Sequence, residues 1–215
     1  MSGGQALLLA GSGMLAGVAE ALVSQGWHVV LPSRRYCPIP APETKPGIAA
    51  LRALRPPGHT RQGDRSQGDW EQGDWEQGDR KQGRAIWVQA SWDSPWELAR
   101  KAEAALSGQA DLLVSWVHSQ YRPSVMRAVE PLLAADAPVV EVSTIGQLGP
   151  PDQPEPSLGT HRTQVVLLGL VSETDSDRAL GQDEIISGVR AAVCRALSGQ
   201  PASVHQIGRL RPMLR

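Results

Sequence analysis

Ala6-Leu7-Leu8-Leu9-Ala10-Gly11-Ser12-Gly13-Met14-Leu15-Ala16-Gly17 is the stretch that decides the fold. Ala6 to Ala10 is a short apolar run of strand length, and it ends at glycines. From Met14 to Gln25, apolar residues recur at Leu15, Val18, Ala19, Leu22 and Val23, which is helical spacing, and Gly26 stands where a left-handed helix end belongs. Trp27 to Leu31 reads as a second strand. Inside the turn, Gly11, Gly13 and Ala16 fit the pattern Gly-x-Gly-x-x-Gly/Ala. Gly11 permits a tight strand-to-helix turn, and Gly13 lets the backbone approach a pyrophosphate. Ala16 lets the helix pack close to the strand, and the unpaired amides of the helix start face the anion. Ser12, Met14 and Leu15 complete this candidate dinucleotide-binding turn. The competing reading is a tight turn that binds nothing.

Outward from this unit, strand-like and helix-like segments keep alternating. Ile48 to Leu54 is a weak helix, and Ala85 to Ala90 a third strand. Ser94-Pro95 opens a helix running to Gly108, with proline in the first turn. Asp111 to Val117 is a fourth strand. Pro123 to Ala135 is helical, kinked or cut by Pro131. Pro138 to Val142 and Gln164 to Val171 are the fifth and sixth strands. Asp183 to Leu197 is an amphipathic helix capped by Gly199, and Val204 to Ile207 a last strand. Such alternation predicts an α/β fold, a doubly wound parallel sheet with helices on both faces, as one domain over residues 1–215. Residues 56–84 interrupt it. They hold a tandem pentapeptide, RQGDR, SQGDW, EQGDW, EQGDR and KQGR. A period of five matches neither helix nor strand and gives no apolar face, so a disordered, low-complexity surface insertion is expected there. Gly146 to Arg162, rich in proline, reads as a loop.

Composition narrows the function classes. The 215 residues carry 21 Lys and Arg against 22 Asp and Glu, which leaves no basic field for nucleic acid or an anionic membrane. Hydrophobic residues make up 41%, enough for a core, yet no run approaches the length of a membrane span. Met1 to Gly17 is leader-like only superficially, lacking a basic first segment. Cys37 and Cys194 give neither a disulfide framework nor metal-ligand spacing, and no histidine pair has metal-ligand spacing either. A soluble, cytoplasmic protein is the expectation. With no phenylalanine in the chain, Trp87, Trp92, Trp96 and Trp116 are expected to supply much of the aromatic core.

Cofactor preference is read at the end of the second strand, where an acidic residue would bind the ribose hydroxyls of NAD. Leu31-Pro32-Ser33-Arg34-Arg35 has none. The hydroxyl of Ser33 and the guanidiniums of Arg34 and Arg35 suit a 2′-phosphate, so NADP(H) is favoured over NAD. The alternative is two solvated arginines at a strand end. Asp93, after the third strand, could accept from an adenine amino group or serve as an ordinary helix-start acid.

These features, with Val29-Val30-Leu31-Pro32-Ser33-Arg34-Arg35, resemble the amino-terminal cofactor half of the short-chain dehydrogenase/reductase superfamily, whose domain is an NAD(P)-binding Rossmann fold. Ala10 to Leu15, Trp116-Val117-His118-Ser119 and Asp183 to Val189 look like a group of short bacterial relatives. The resemblance implies an NADP-linked oxidoreductase, with Ser143 or Thr144 at the position of the superfamily's catalytic serine. It also exposes a departure. The superfamily's Tyr-x-x-x-Lys has no counterpart, since the only tyrosines are Tyr36 and Tyr121 and the lysines are Lys45, Lys81 and Lys101. The helix that would carry it falls in the proline-rich loop.

A substitute proton donor is sought beyond the carboxyl ends of the strands, where His118 and Tyr121 follow the fourth and His161 precedes the sixth. Three functions follow. One is an oxidoreductase of a small carbonyl or imine substrate, using His118 or Tyr121 as the acid and Ser143 or Thr144 to orient the substrate. Another is a non-catalytic NADP(H)-binding, redox-sensing or scaffold protein, and the third an α/β protein with an empty crevice. The chain is short, so a homo-oligomer in which a second copy completes the substrate walls also stays open.

Overall fold

The computed structural model describes residues 3–10, 13–36, 39, 83–144, 155–175 and 177–209. Among these residues seven strands and four helices follow one another: β1 (Gln5–Ala10), α1 (Ala16–Ser24), β2 (His28–Ser33), β3 (Arg84–Gln89), α2 (Pro95–Ala105), β4 (Leu112–Trp116), α3 (Arg122–Val129), β5 (Val139–Thr144), β6 (Thr163–Leu168), α4 (Gln182–Leu197) and β7 (Ser203–Ile207). All strand pairs are parallel, in the order β3-β2-β1-β4-β5-β6-β7. The doubly wound α/β sheet read from the sequence is the observed fold. Most of the 56–84 insertion, the Ile48 to Leu54 helix and Cys37 lie outside the described residues.

Strand alternation builds two cores. Ala6, Leu8 and Ala10 of β1 face one side and pack with α1 and α4. Leu7 and Leu9 face the other and pack with α2 and α3. These leucines are at most 1% exposed, and burying each contributes roughly 1.5–3 kcal/mol. A strand apolar on both faces can only be central, which is why β1 lies third in the order. Trp96 departs from expectation: it is exposed on the outer side of α2, whereas Trp27 is buried in the core. Trp87, Trp92 and Trp116 are half-buried.

Local rules set the ends of the elements. Gly26 and Gly199 close α1 and α4 at positive φ. Pro131 cannot donate an amide, so α3 stops at Val129 and a single 3-10 turn, Glu130–Leu132, follows. Gly83 is the final glycine of the pentapeptide array and leads into β3. A Cβ on it would lie 2.0 Å from the carbonyl oxygen of Val23, so only glycine fits there. Among the described residues, no helix is long and apolar enough to cross a membrane.

Candidate functional site

The strand order reverses between β1 and β4. Connections leaving these neighbours run in opposite directions, which opens a crevice beyond their carboxyl ends. The turn after β1 forms one wall. Gly13 has φ +90°, and among the described residues no atom beyond its chain neighbours lies within 4 Å of where its Cβ would be. Met14 is exposed, while Leu15 is buried and pins the turn to the core. No side chain caps α1, whose Ala16 and Val18 amides instead turn back to the Gly13 and Leu15 carbonyls at 3.3 and 3.0 Å. Gly11 and Ser12 lie outside the described residues. The turn is braced from the far end of the chain, where Gln182 Nε2 donates to the Gly13 carbonyl at 3.1 Å. Gly17 also meets α4, since a Cβ there would touch Ile186 carbons at 3.0 Å.

The end of β2 forms the next wall. Arg34 and Arg35 are exposed, but Ser33 turns inward. Its hydroxyl donates to the Arg35 carbonyl at 2.6 Å and accepts from Trp87 Nε1 at 2.9 Å. Tyr36 packs edge-on against Trp87, with centroids 5.4 Å apart. Ser33 therefore shapes the turn that presents the arginines. Arg34 lines a cavity of about 550 Å³ with Ser91, Ser94 and Lys101, whereas Arg35 does not reach it. Lys101 is already paired with Glu97 at 2.8 Å and with the Gln89 carbonyl at 3.0 Å. That leaves Arg34 as the cation of this cavity outside the ion pairs of the described residues.

Between β3 and β4 lies a polar-aromatic cluster. Ser91 Oγ donates to the Asp93 carboxylate at 2.7 Å, and the Tyr121 hydroxyl bonds to the same group. Trp92 stands 6.0 Å from the ring of His118 and 6.1 Å from that of Tyr121. The Ser91 and Tyr121 bonds hold the Asp93 carboxyl below its usual range, and Asp93 in turn pushes the Tyr121 phenol above its ordinary value. A raised phenol is a weaker acid, so Asp93 holds the Tyr121 proton on its oxygen. The contribution of Asp93 to stability is present above the ordinary carboxylate value and is lost as pH falls through the lowered one. In a Tyr36→Phe background, absorbance titration is expected to show Tyr121 ionising above the ordinary phenol value. Asp93→Asn should bring it back down, and an ordinary value in the parent would contradict the hydrogen bond.

The end of β5 supplies the hydroxyls. Ser143 is 2% exposed and Thr144 half-buried. Below them lies a residue the sequence reading passed over. Glu141 is 2% exposed, and its two oxygens accept the Ser157 amide at 2.7 Å and the Ser157 hydroxyl at 2.6 Å. Arg122 lies nearby, its Nη2 donating to the carbonyls of Val117 at 3.0 Å and Val142 at 3.5 Å. An acid within Val139-Val140-Glu141-Val142 was the available signal, because a carboxylate in a buried parallel strand demands partners.

Thus His118, Tyr121 and Asp93 meet on one side of the crevice mouth, Arg34 borders it, and Ser143 and Thr144 close β5. His161 belongs elsewhere: its Nδ1 bonds the Ala137 carbonyl at 2.9 Å, at the amino ends of β5 and β6. His205 bonds Gln164 at 2.8 Å and Ser203 at 3.0 Å. Residues 155–162 of the β5–β6 connection contain no helix, and residues 145–154 lie outside the described set.

No protein family's model matches the chain, and no curated protein does. Solved structures do. A short-chain dehydrogenase/reductase from Serratia marcescens BCRC 10948 is 12% identical, with a TM-score of 0.55 over 96% of each chain. A short-chain type dehydrogenase/reductase from Mycobacterium ulcerans is 13% identical, with a TM-score of 0.55 over 96% of this chain and 89% of that one. An NADH-dependent reductase, A1-R′, complexed with NAD, is 13% identical, with a TM-score of 0.54 over 96% of this chain and 95% of that one. At such identities the likeness is one of fold, and the chain has the fold of these short-chain dehydrogenase/reductase structures.

Proposed function

We propose that the chain binds NADP(H) across the carboxyl edge of its sheet and acts as an oxidoreductase on a small carbonyl or imine substrate. The observation that carries this reading is Gly13. It sits at positive φ with no other described residue near where a side chain would be, at the head of α1, in the crevice where the strand order reverses. The residues present fit the dinucleotide. Gly11 to Leu15 would take the pyrophosphate, and Arg34, helped by Arg35, the 2′-phosphate. No carboxylate stands at the end of β2 to favour a bare ribose. The bound cofactor supplies hydride. His118 would donate the proton, and Thr144, more exposed than Ser143, would orient an oxygen or nitrogen.

A second reading, a non-catalytic NADP(H)-binding module, is favoured by the missing Tyr-x-x-x-Lys and by Asp93 holding the Tyr121 proton. Calorimetric titration with NADPH and NADH tests what the two readings share. Arg34→Ala is expected to weaken NADPH about tenfold or more, through loss of a charge-assisted contact, and to leave NADH nearly unchanged. Equal weakening of both would remove Arg34 from the 2′-phosphate, and failure of both nucleotides to bind would sink both readings. Turnover of NADPH with aldehydes, ketones and imines then separates enzyme from module.

A further inference from the structure

A second groove, of about 320 Å³, runs between α3 and the loop at residues 157–160, apart from the glycine turn and Arg34. That volume is at the small end of ligand pockets. Two guanidiniums, Arg122 and Arg127, line it with Ser119 and Ser157, over an apolar floor that includes buried Leu158. Arg122 is half-buried and fixed in place by the carbonyls that end β4 and β5. Neither arginine takes part in an ion pair among the described residues.

Two carboxylates stand by the groove, Glu130 in its lining and Glu141 near Arg122, and each is hydrogen-bonded to the facing loop. Glu141 lies beneath the groove, with both oxygens filled by Ser157, and so holds the facing wall rigid. Glu130, at the other end, accepts the Thr160 hydroxyl at 3.0 Å and fixes the same loop there. Arg122 has two carbonyl partners and the Glu141 charge nearby, but among the described residues no carboxylate in ion-pair contact occupies its fork. Its planar fork matches the two oxygens of a carboxylate or phosphate.

We infer that this groove binds a small oxyanion, a carboxylate or phosphate group on a compact molecule, held by Arg122 and Arg127 between α3 and the 157–160 loop. The test is calorimetric titration of the nucleotide-free protein with acetate, succinate and inorganic phosphate at fixed ionic strength. At least one probe should bind saturably, and which one does identifies the oxyanion. Arg122→Gln or Arg127→Gln should weaken that binding about tenfold. Should Arg122→Gln fail to fold, the exposed Arg127→Gln still decides the matter. No saturable binding of any probe, or an unchanged Kd in every folded variant, would overturn the assignment. With no nucleotide in the cell, the result is independent of the NADPH titration.

Discussion

Replacing Gly13 by aspartate is expected to weaken NADPH and NADH alike by about a hundredfold or more, with the sheet still folded. The new carboxylate would occupy the open space above Gly13, where the reading places a diphosphate. Two like charges set against each other cost several kcal/mol, and each 1.4 kcal/mol is about tenfold in affinity. The positive φ adds roughly 1–2 kcal/mol of backbone strain, which falls on stability. Gly13→Asn, of the same shape without the charge, separates the two effects and should weaken binding much less than Gly13→Asp. A Gly13→Asp protein that binds NADPH within a few-fold of the parent would show that the turn holds no diphosphate. Loss of binding in this variant, beside a purely NADPH-selective loss in Arg34→Ala, would fix both ends of the cofactor.

Replacing Glu141 by leucine is expected to destabilise the fold by about 2–4 kcal/mol, seen as a Tm lower by on the order of 10 °C. The substitution removes both acceptors of Ser157 and the negative charge near the half-buried Arg122 guanidinium. Leucine restores apolar contact but leaves the Ser157 amide without its acceptor and Arg122 without the negative charge nearby. Ser157→Ala deletes only one of the hydrogen bonds and should cost about 1 kcal/mol. A Glu141→Leu protein as stable as the parent would mean that the tie between β5 and the following loop carries no net energy.

What the sequence made legible was the part governed by local rules. All seven strands were readable from apolar runs, and Gly26 and Gly199 from their place after helical repeats. α3 was read too long because Pro131 admitted either a kink or a stop, and the choice lay in packing. The site was less legible because its side chains answer to distant neighbours. Nothing around Ser33 announces that its hydroxyl turns toward Trp87, fifty-four residues on. The tie between Asp93 and Tyr121 crosses from one loop to another, so no spacing rule reaches it. Glu141 is the instructive case: an acid in a buried strand called for partners, but only the fold could name Ser157 and Arg122.

The bond between Gln182 and Gly13 spans 169 positions of the chain, and this sets the order in which the protein can be finished during synthesis. The glycine turn is synthesised long before α4. Its brace, together with Ile186 against Gly17, is made only once the sixteen-residue α4 has been released. A nascent chain ending before α4 has β1 and the turn but lacks the Gln182 and Ile186 contacts that brace the turn. Maturation of the crevice is therefore tied to synthesis of α4, and a product ending before Gln182 would lack the brace however well its first strands had formed.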